Sequence, residues 1–164
     1  MNYEFKNKTN LKIFRPHNIY GPDMGFKHVV PQFISKLLKM KEEGKTNFIS
    51  NGNLKATRAF CYVSDLIDGL MVLEKANITK EIFHIGTKDE IKIEDLIDML
   101  ASILSVEVRS KESLDQHIGG TVRRCPDIEK IASMGYSPKT IVSDGLKETC
   151  NWYLNSKESS NELL

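Results

Sequence analysis

The sequence has few cysteines, almost no net charge and no long apolar run, and each absence excludes a class of protein. Its three cysteines, Cys61, Cys125 and Cys150, are odd in number and include no CxxC spacing. Neither a disulfide framework nor a zinc site is therefore indicated. No apolar run approaches the roughly 18 residues that would suggest a membrane helix. The polar opening, MNYEFKNKTN, argues against a signal peptide, so we expect a cytoplasmic protein.

The charge balance excludes a general affinity for nucleic acid. The chain has 23 basic and 22 acidic residues, which gives a formal net charge of +1. Such a chain has no overall field that would attract a polyanion, so any anion must be held by locally placed groups. Three of its histidines, His28, His84 and His117, are too far apart in sequence to have metal-ligand spacing, so no metal site is predicted.

What the sequence does contain is an alternation of short strands and helices, in a length typical of one domain. The run LKIFRP predicts a strand over residues 11–16, and VVPQFISKLLKMKEEG predicts a helix that ends at Gly44, with Pro31 in its first turn. The runs TNFIS and RAFCYV predict two strands around a turn whose central pair is Asn51 and Gly52.

The second half of the sequence continues the alternation. A helix is predicted to open at Asp65, followed by the strand EIFHIG, the amphipathic helix KIEDLIDMLASIL and the strand VEVRS. A short helix after Asp127 and a last helix from about residue 143 to 152 complete the pattern. We therefore expect an α/β fold, with a polar lead-in over residues 1–10, one domain over 11–154 and a polar tail over 155–164.

Five segments in order resemble the C-terminal half of extended short-chain dehydrogenase/reductases. They are RPHNIYGPDM, VVPQF, SNGNLKATRAFCYVSDLIDGL, IFHIGT and GGTVRRCPDIEKI, and the resemblance extends from about Leu11 to Tyr153. The similar proteins are NAD-dependent nucleotide-sugar epimerases, dehydratases and decarboxylases. The resemblance implies a Rossmann-type fold, a substrate-binding role for this chain, a nucleotide diphosphate sugar as ligand and NAD as the cofactor of the complete enzyme.

The sequence also departs from the family pattern. It has no GxxGxxG turn after a strand, and its one YxxxK, at Tyr153 and Lys157, is far from the family's catalytic position. We therefore expect that the N-terminal dinucleotide-binding half is absent, that no catalytic pair is present, and that the isolated chain neither retains NAD nor turns over a nucleotide sugar. The alternative is a stand-alone, non-enzymatic module that binds nucleotide sugars or only shares their fold.

The resemblance assigns roles to residues near the first strand and to two arginines. It implies that Pro16 and His17 lie beside the nicotinamide and that Asn18 contacts the sugar or its phosphate. Asn18 could equally stabilise the turn that follows it. Arg58 and Arg124 would bind the diphosphate, since a guanidinium group forms paired, directional hydrogen bonds with phosphate oxygens.

The remaining assignments concern the nucleoside and the assembly. Asp127 would accept hydrogen bonds from the ribose, or cap the helix that follows it. Val30, Pro31 and Phe48, together with Phe33, would shape the base pocket, although core packing explains the first three equally well and explains Phe33 better. Because the two halves of the family's enzymes share one sheet, we also expect exposed apolar surface at residues 11–14, and with it possible homo-oligomers.

Overall fold

The computed structural model describes residues 11–113 and 120–155. The predicted lead-in, most of the predicted tail, His117 and Lys157 lie outside the described residues. The elements, in chain order, are β1 (Lys12–Pro16), β2 (Ile19–Tyr20), α1 (Val29–Glu42), β3 (Asn47–Ser50), β4 (Thr57–Ala59), β5 (Cys61–Tyr62), α2 (Val63–Lys75), β6 (Glu81–Ile85), β7 (Glu90–Lys92), α3 (Ile93–Leu104), β8 (Arg109–Glu112), β9 (Arg123–Arg124), α4 (Glu129–Ala132) and α5 (Val142–Asn155).

The strands form several small, mainly parallel sheets. β1 pairs with β6, β2 with β5 and β3 with β8, each in parallel. β4 lies between an antiparallel neighbour, β7, and a parallel neighbour, β9. Parallel strands require crossover connections, and here helices supply most of them. The predicted α/β class is confirmed.

The turn at Asn51 and Gly52 exists, but the strands on either side of it do not pair as a hairpin. β3 pairs with β8 and β4 pairs with β7 and β9, so the hairpin suggested by this dipeptide is wrong. Ser50 Oγ accepts a hydrogen bond from the backbone N–H of Gly52, which closes the turn locally. The parallel pairing places Phe48 fully in the core, a burial that local turn chemistry does not foresee.

The strand predicted from VEVRS is displaced toward the C-terminus. α3 ends at Leu104, the φ of its C-cap residue Ser105 is 54°, in the left-handed region, and β8 begins only at Arg109. Val106 and Val108 are partly buried and pack against the larger core instead. The alternation of apolar and polar residues in VEVRS therefore reflects the packing of the segment that follows α3, and not a strand over its first residues.

The larger of two hydrophobic cores lies between α1, α3 and α5. Each of these helices places a stripe of apolar side chains against the others, as the 3.6-residue period predicts. In α3 this stripe comprises Leu96, Ile97, Leu100, Ala101 and Leu104, all buried. Phe48 and Tyr20 join the same cluster from the strands.

The smaller core covers only one side of the β1–β6 pair. Phe83 and Ile85 of β6 are buried with Leu73 of α2 and with Tyr136, which follows α4. On the opposite face, the aligned residues Ile13 of β1 and Ile82 of β6 are 44% and 40% exposed. Phe14 lies on the same face as Phe83 but is itself 43% exposed. Apolar surface is therefore open at the first strand, where it was expected. Among the described helices, none has the length and apolarity needed to cross a membrane.

Candidate functional site

The site begins at the C-terminal end of β1, where Pro16 ends the strand and His17 follows. The backbone N–H of His17 donates a hydrogen bond to the carbonyl of Ile85 at the end of β6, at 3.0 Å. Its ring Nε2 lies 2.6 Å from Nδ1 of His84, and the two ring centroids are 4.8 Å apart. The predicted cofactor-binding pair, Pro16 and His17, therefore lies at the shared end of two parallel strands, next to a second histidine.

Asn18 connects this end of β1 to β4 and β5. Its φ is 43°, a left-handed conformation that asparagine tolerates better than most residues. Its side-chain Nδ2 donates to the carbonyl of Ala59 at 3.1 Å, and its own carbonyl accepts from the N–H of Cys61 at 3.2 Å. Asn18 therefore joins β1 to the β4–β5 segment, and both its contact with a sugar and its role in the turn that follows it stay predictions.

Arg58 and Arg124 are directly opposite each other on paired strands. The parallel β4–β9 register aligns Arg58 with Arg124, and aligned residues on neighbouring strands extend from the same face of a sheet. Arg58 is held in place because its Nη1 and Nη2 donate to the carbonyls of Thr57 and Thr121, at 2.7 and 2.8 Å. Burial, and then the charge of Arg124, lower the pKa of Arg58.

The structure separates Arg123 from Arg124, which the sequence could not do. Arg123 extends from the opposite face, where its Nε and Nη2 donate to Glu90 Oε1 at 3.0 and 2.5 Å. The hydroxyl of Thr57 and the Arg123 guanidinium lower the pKa of the Glu90 carboxyl. Since the charge of Arg123 is satisfied within the chain, Arg124 is the arginine of this pair that shares a face with Arg58.

A cavity of about 750 Å³ lies beside Arg58. Its apolar wall includes Phe33 and Phe48, whose rings meet edge to face with centroids 5.2 Å apart. Lys36 Nζ lies 4.4 Å from the centroid of Phe48 and donates to the carbonyl of Ile49. Arg58 and Thr121 form part of the opposite, polar lining.

Two predicted base-pocket residues are placed in the core and not on the cavity wall. Val30 has no exposed surface and Pro31 is buried, while the neighbouring Val29, Gln32 and Phe33 of α1 line the cavity. Neighbouring helix residues point about 100° apart, so the VVPQF motif cannot present all of its members to one side. The VVPQF segment does line the cavity, but through residues other than Val30 and Pro31, and its role as a base pocket stays a prediction.

Asp127 performs the capping role that was one of its two interpretations. Its Oδ1 accepts a hydrogen bond from the backbone N–H of Glu129, the first residue of α4, at 2.9 Å. The side chain is exposed, and contact with a ribose stays a prediction.

Together these residues form a row. Arg58 lines the cavity, Arg124 lies opposite Arg58, and Pro126, two residues after Arg124, lies close to Gly86 together with His17. Burial, and then the charges of His84 and Arg124, lower the pKa of His17. The row therefore proceeds from an aromatic cavity, past two guanidinium groups, to the tip of β1. It can bind an elongated ligand with an apolar end and a negatively charged middle.

Sequence reasoning missed His84 and Lys36. His84 was read as an isolated histidine, although RPHN and IFHIG both place a histidine at a strand end. Parallel strands end at the same edge of a sheet, so those two motifs could have predicted the pair had the β1–β6 pairing been known. Lys36 was not among the predicted site residues, yet it lines the cavity, and burial lowers its pKa.

The YxxxK pattern is not presented as a catalytic pair. Tyr153 is 1% exposed and packs in the larger core against Phe26 and Trp152. Burial raises the pKa of its phenol. Within residues 11–113 and 120–155 there is also no group of three or more potential metal-ligating side chains.

A comparison with protein-family models decides the family. The model of the NAD dependent epimerase/dehydratase family matches residues 1–86. The chain belongs to this family. The resemblance to extended short-chain dehydrogenase/reductases, first seen in the quoted motifs, is thereby confirmed.

Individual family members agree with this assignment. The chain is 30% identical to GDP-L-fucose synthase 1 of Arabidopsis thaliana over 145 residues, which are 86% of this chain and 45% of that protein. UDP-glucuronic acid 4-epimerase from Bacillus cereus, solved with a UDP-sugar and NAD, matches with a TM-score of 0.73 and 30% identity, over 86% of this chain and 44% of that one. The dTDP-glucose 4,6-dehydratase DesIV from Streptomyces venezuelae, solved with NAD, matches with a TM-score of 0.75 and 26% identity. That match covers 93% of this chain and 46% of the DesIV chain.

These matches also define the extent of the likeness. The chain spans less than half of the length of each of these three relatives. It therefore corresponds to part of an epimerase/dehydratase.

Proposed function

We propose that this chain is the nucleotide-sugar-binding part of an NAD-dependent epimerase or dehydratase. The observation that carries the proposal is that Arg58 lines the cavity and is aligned with Arg124 on the neighbouring strand. A nucleotide diphosphate sugar has a flat base, a doubly charged linker and a polar sugar. The row of residues matches these three parts in order: the cavity suits the base, the two arginines suit the diphosphate, and the tip of β1 suits the sugar.

The cavity suits the base. Ligand pockets in proteins are typically about 300–1,000 Å³, mostly apolar, with a few polar groups that fix orientation. The cavity's volume of about 750 Å³ is in this range, and its lining combines Phe33 and Phe48 with polar groups such as Gln32 and Asn51. The partly exposed Phe33 would contact the base, with its ring supported by the buried Phe48, and the polar groups would select the edge of the base.

The arginine pair suits the diphosphate. A guanidinium has five N–H donors, and Arg58 uses two of its donor groups on the carbonyls of Thr57 and Thr121. Those bonds fix its orientation before a ligand binds, which lowers the entropy lost on binding. Burial, and then the charge of Arg124, lower the pKa of Arg58. Two cations on one face repel each other, and a bound diphosphate would offset that repulsion.

The sugar would then lie at the tip of β1, near Asn18 and His17. The redox chemistry needs NAD, which family members such as the B. cereus epimerase bind. The residues proposed here hold and orient the sugar nucleotide, and the hydride-transferring groups belong to the dinucleotide-binding half. We infer that this half binds the open β1–β6 face, where the aligned residues Ile13 and Ile82 are exposed. On its own, the chain neither retains NAD nor converts a nucleotide sugar.

The proposal is tested by titrating UDP, dTDP and GDP into the full chain by isothermal calorimetry. We expect at least one of them to bind, and Arg124→Ala to weaken that binding by roughly ten- to a hundred-fold, since a charge-assisted hydrogen bond contributes about 1.5–3 kcal/mol. Arg124 is the informative position, because Arg58 also makes contacts within the chain.

The matched control is Arg109→Ala. Arg109 is another exposed arginine on a short strand, and its nearest carboxylate is Glu107 at 3.9 Å. It does not line the cavity, so its loss should leave the affinity unchanged. Equal affinities for the wild type and Arg124→Ala would remove Arg124 from the site, and no binding of any of the three nucleotides would overturn the proposed function.

A further inference from the structure

The His17–His84 pair has a geometry that restricts its protonation. With Nε2 of His17 and Nδ1 of His84 only 2.6 Å apart, one nitrogen must donate a hydrogen and the other must accept it. A neutral imidazole has one donor and one acceptor nitrogen, whereas a protonated ring has two donors. The pair can therefore hold one additional proton and keep its hydrogen bond, but a second proton would place two donors face to face.

The surroundings of the pair oppose that additional proton in the ligand-free chain. Burial first, and then His84 of β6, Arg124 of β9 and Arg15 of β1, lower the pKa of His17. Arg15 is aligned with His84 across the β1–β6 pair, so it extends from the same face. Each of the charged groups acting on His17 is basic, and they come from three strands.

The pair is also held in position by the backbone. The N–H of His17 donates to the carbonyl of Ile85, the residue after His84, which fixes the two ring-bearing segments relative to each other. A Cβ added at Gly86 would lie 3.3 Å from Cβ of His17 and 2.9 Å from Cγ of Pro126. The close approach of β6, β1 and the segment after β9 therefore depends on glycine at position 86, and it keeps His17 close to Pro126, two residues after Arg124.

We propose that His17 and His84 form a proton-binding pair that takes up one proton when an anionic ligand binds at Arg124. His17 carries the proton, and His84 is a positioning residue whose Nδ1 accepts the hydrogen bond from Nε2 of His17. The inference rests on the proposed function, which supplies a diphosphate as the anion. A diphosphate on Arg124 offsets the positive charge that opposes protonation of His17, so the ring becomes more basic.

Thermodynamic linkage makes this effect reciprocal. If the ligand favours the protonated pair, then the protonated pair binds the ligand more tightly, by the same factor. Affinity should therefore increase as the pH falls toward the ordinary range for histidine, by up to about tenfold per pH unit for one full proton. The protonated pair would also place a cation at the tip of β1, where the proposed sugar end of the ligand lies.

The first experiment measures proton uptake directly. UDP is titrated into the full chain at one pH, in buffers with different ionisation enthalpies, and the dependence of the observed enthalpy on the buffer gives the number of protons taken up. We expect a positive number, not above one, for the wild type. His17→Asn should still bind UDP but take up no proton at this position.

Two variants at position 84 separate positioning from a structural role. His84→Asn keeps a carbonyl oxygen close to the place of Nδ1, so uptake should persist. His84→Leu removes the acceptor, so uptake should fall while UDP still binds. If His84→Leu takes up as many protons as the wild type, or if His17→Asn does not lower the number, the proposal is wrong.

A ligand-free measurement distinguishes failure of this inference from failure of the proposed function. Histidine ring signals are followed by NMR across a pH titration in the wild type and in Arg124→Ala, with His28 as an exposed internal reference. We expect the pKa of His17 to rise in Arg124→Ala and that of His28 to stay constant. An unchanged His17 would overturn the coupling even if UDP binds. If the pKa of His17 rises in Arg124→Ala but UDP does not bind, the coupling of the pair to Arg124 holds. The proposed ligand, and proton uptake driven by that ligand, would then be wrong.

Discussion

The larger core and the β1–β6 pair differ in how completely they are covered. The core-facing apolar residues of α3 are buried together with residues of α1, α5 and the strands, and Leu100 has no exposed surface. In the β1–β6 pair, Phe83 is buried whereas Ile13 and Ile82 are about two-fifths exposed. The larger core therefore buries its apolar side chains within the chain. The β1–β6 pair leaves apolar side chains exposed on one face, where another layer of structure could cover them.

The difference explains how the proposed site is divided. The base cavity and Arg58 belong to the region that packs by itself, so this part of the site can form within the chain. His17 and His84 lie at the end of the incompletely covered strands. The part of the site nearest the proposed reaction is therefore the part that would depend most on a partner, and three predictions test this contrast.

The largest effect is expected in the larger core. Leu100→Ala should lower the free energy of unfolding by about 2–5 kcal/mol, because it removes buried methyl groups and leaves a cavity. Ile13→Ala in the open strand should change it by no more than about 0.5 kcal/mol. Urea denaturation measures both. Similar losses for the two variants would show that β1 is as well packed as α3, and the contrast would fail.

A smaller effect is expected where β1 supports α2. Nζ of Lys12 donates to the carbonyls of Leu73 and Ala76, both at 2.6 Å, at the C-terminal end of that helix. Lys12→Met should cost about 1 kcal/mol, because these carbonyls lose a charged donor that also complements the helix dipole. Lys75→Met, an exposed lysine in the last turn of the same helix, is the control for charge alone. Equal losses would assign the effect to general electrostatics.

The smallest change in stability, with a change in assembly, is expected on the open face. We predict that the isolated chain self-associates through β1 and that Ile13→Thr weakens this association without altering the urea midpoint. Ile141→Thr is a matched control, since Ile141 is 66% exposed and precedes α5, away from β1. Sedimentation velocity over a range of concentrations measures the effect. A wild-type chain that remains monomeric at high concentration would contradict it.

Much of the fold was predictable because its elements have strong local signals. The helices at α1, α2, α3 and α5 follow from apolar periodicity, and β1 and β6 follow from short apolar runs that end at Pro16 and Gly86. The Asn51–Gly52 dipeptide suggested a hairpin that does not form, because a turn signal does not determine which strands pair. Likewise VVPQF identified the right helix for the cavity but not which of its residues face it.

The sequence by itself determined the α/β class, the family resemblance and the two arginines worth testing, because periodicity and motif order are properties of neighbouring residues. Only the tertiary structure decided that Arg58 and Arg124 share a face, that Arg123 is paired with Glu90, and that His84 meets His17. Those facts depend on strand pairing between segments far apart in the chain. Such pairing is set by the global burial of apolar surface, which no local pattern encodes.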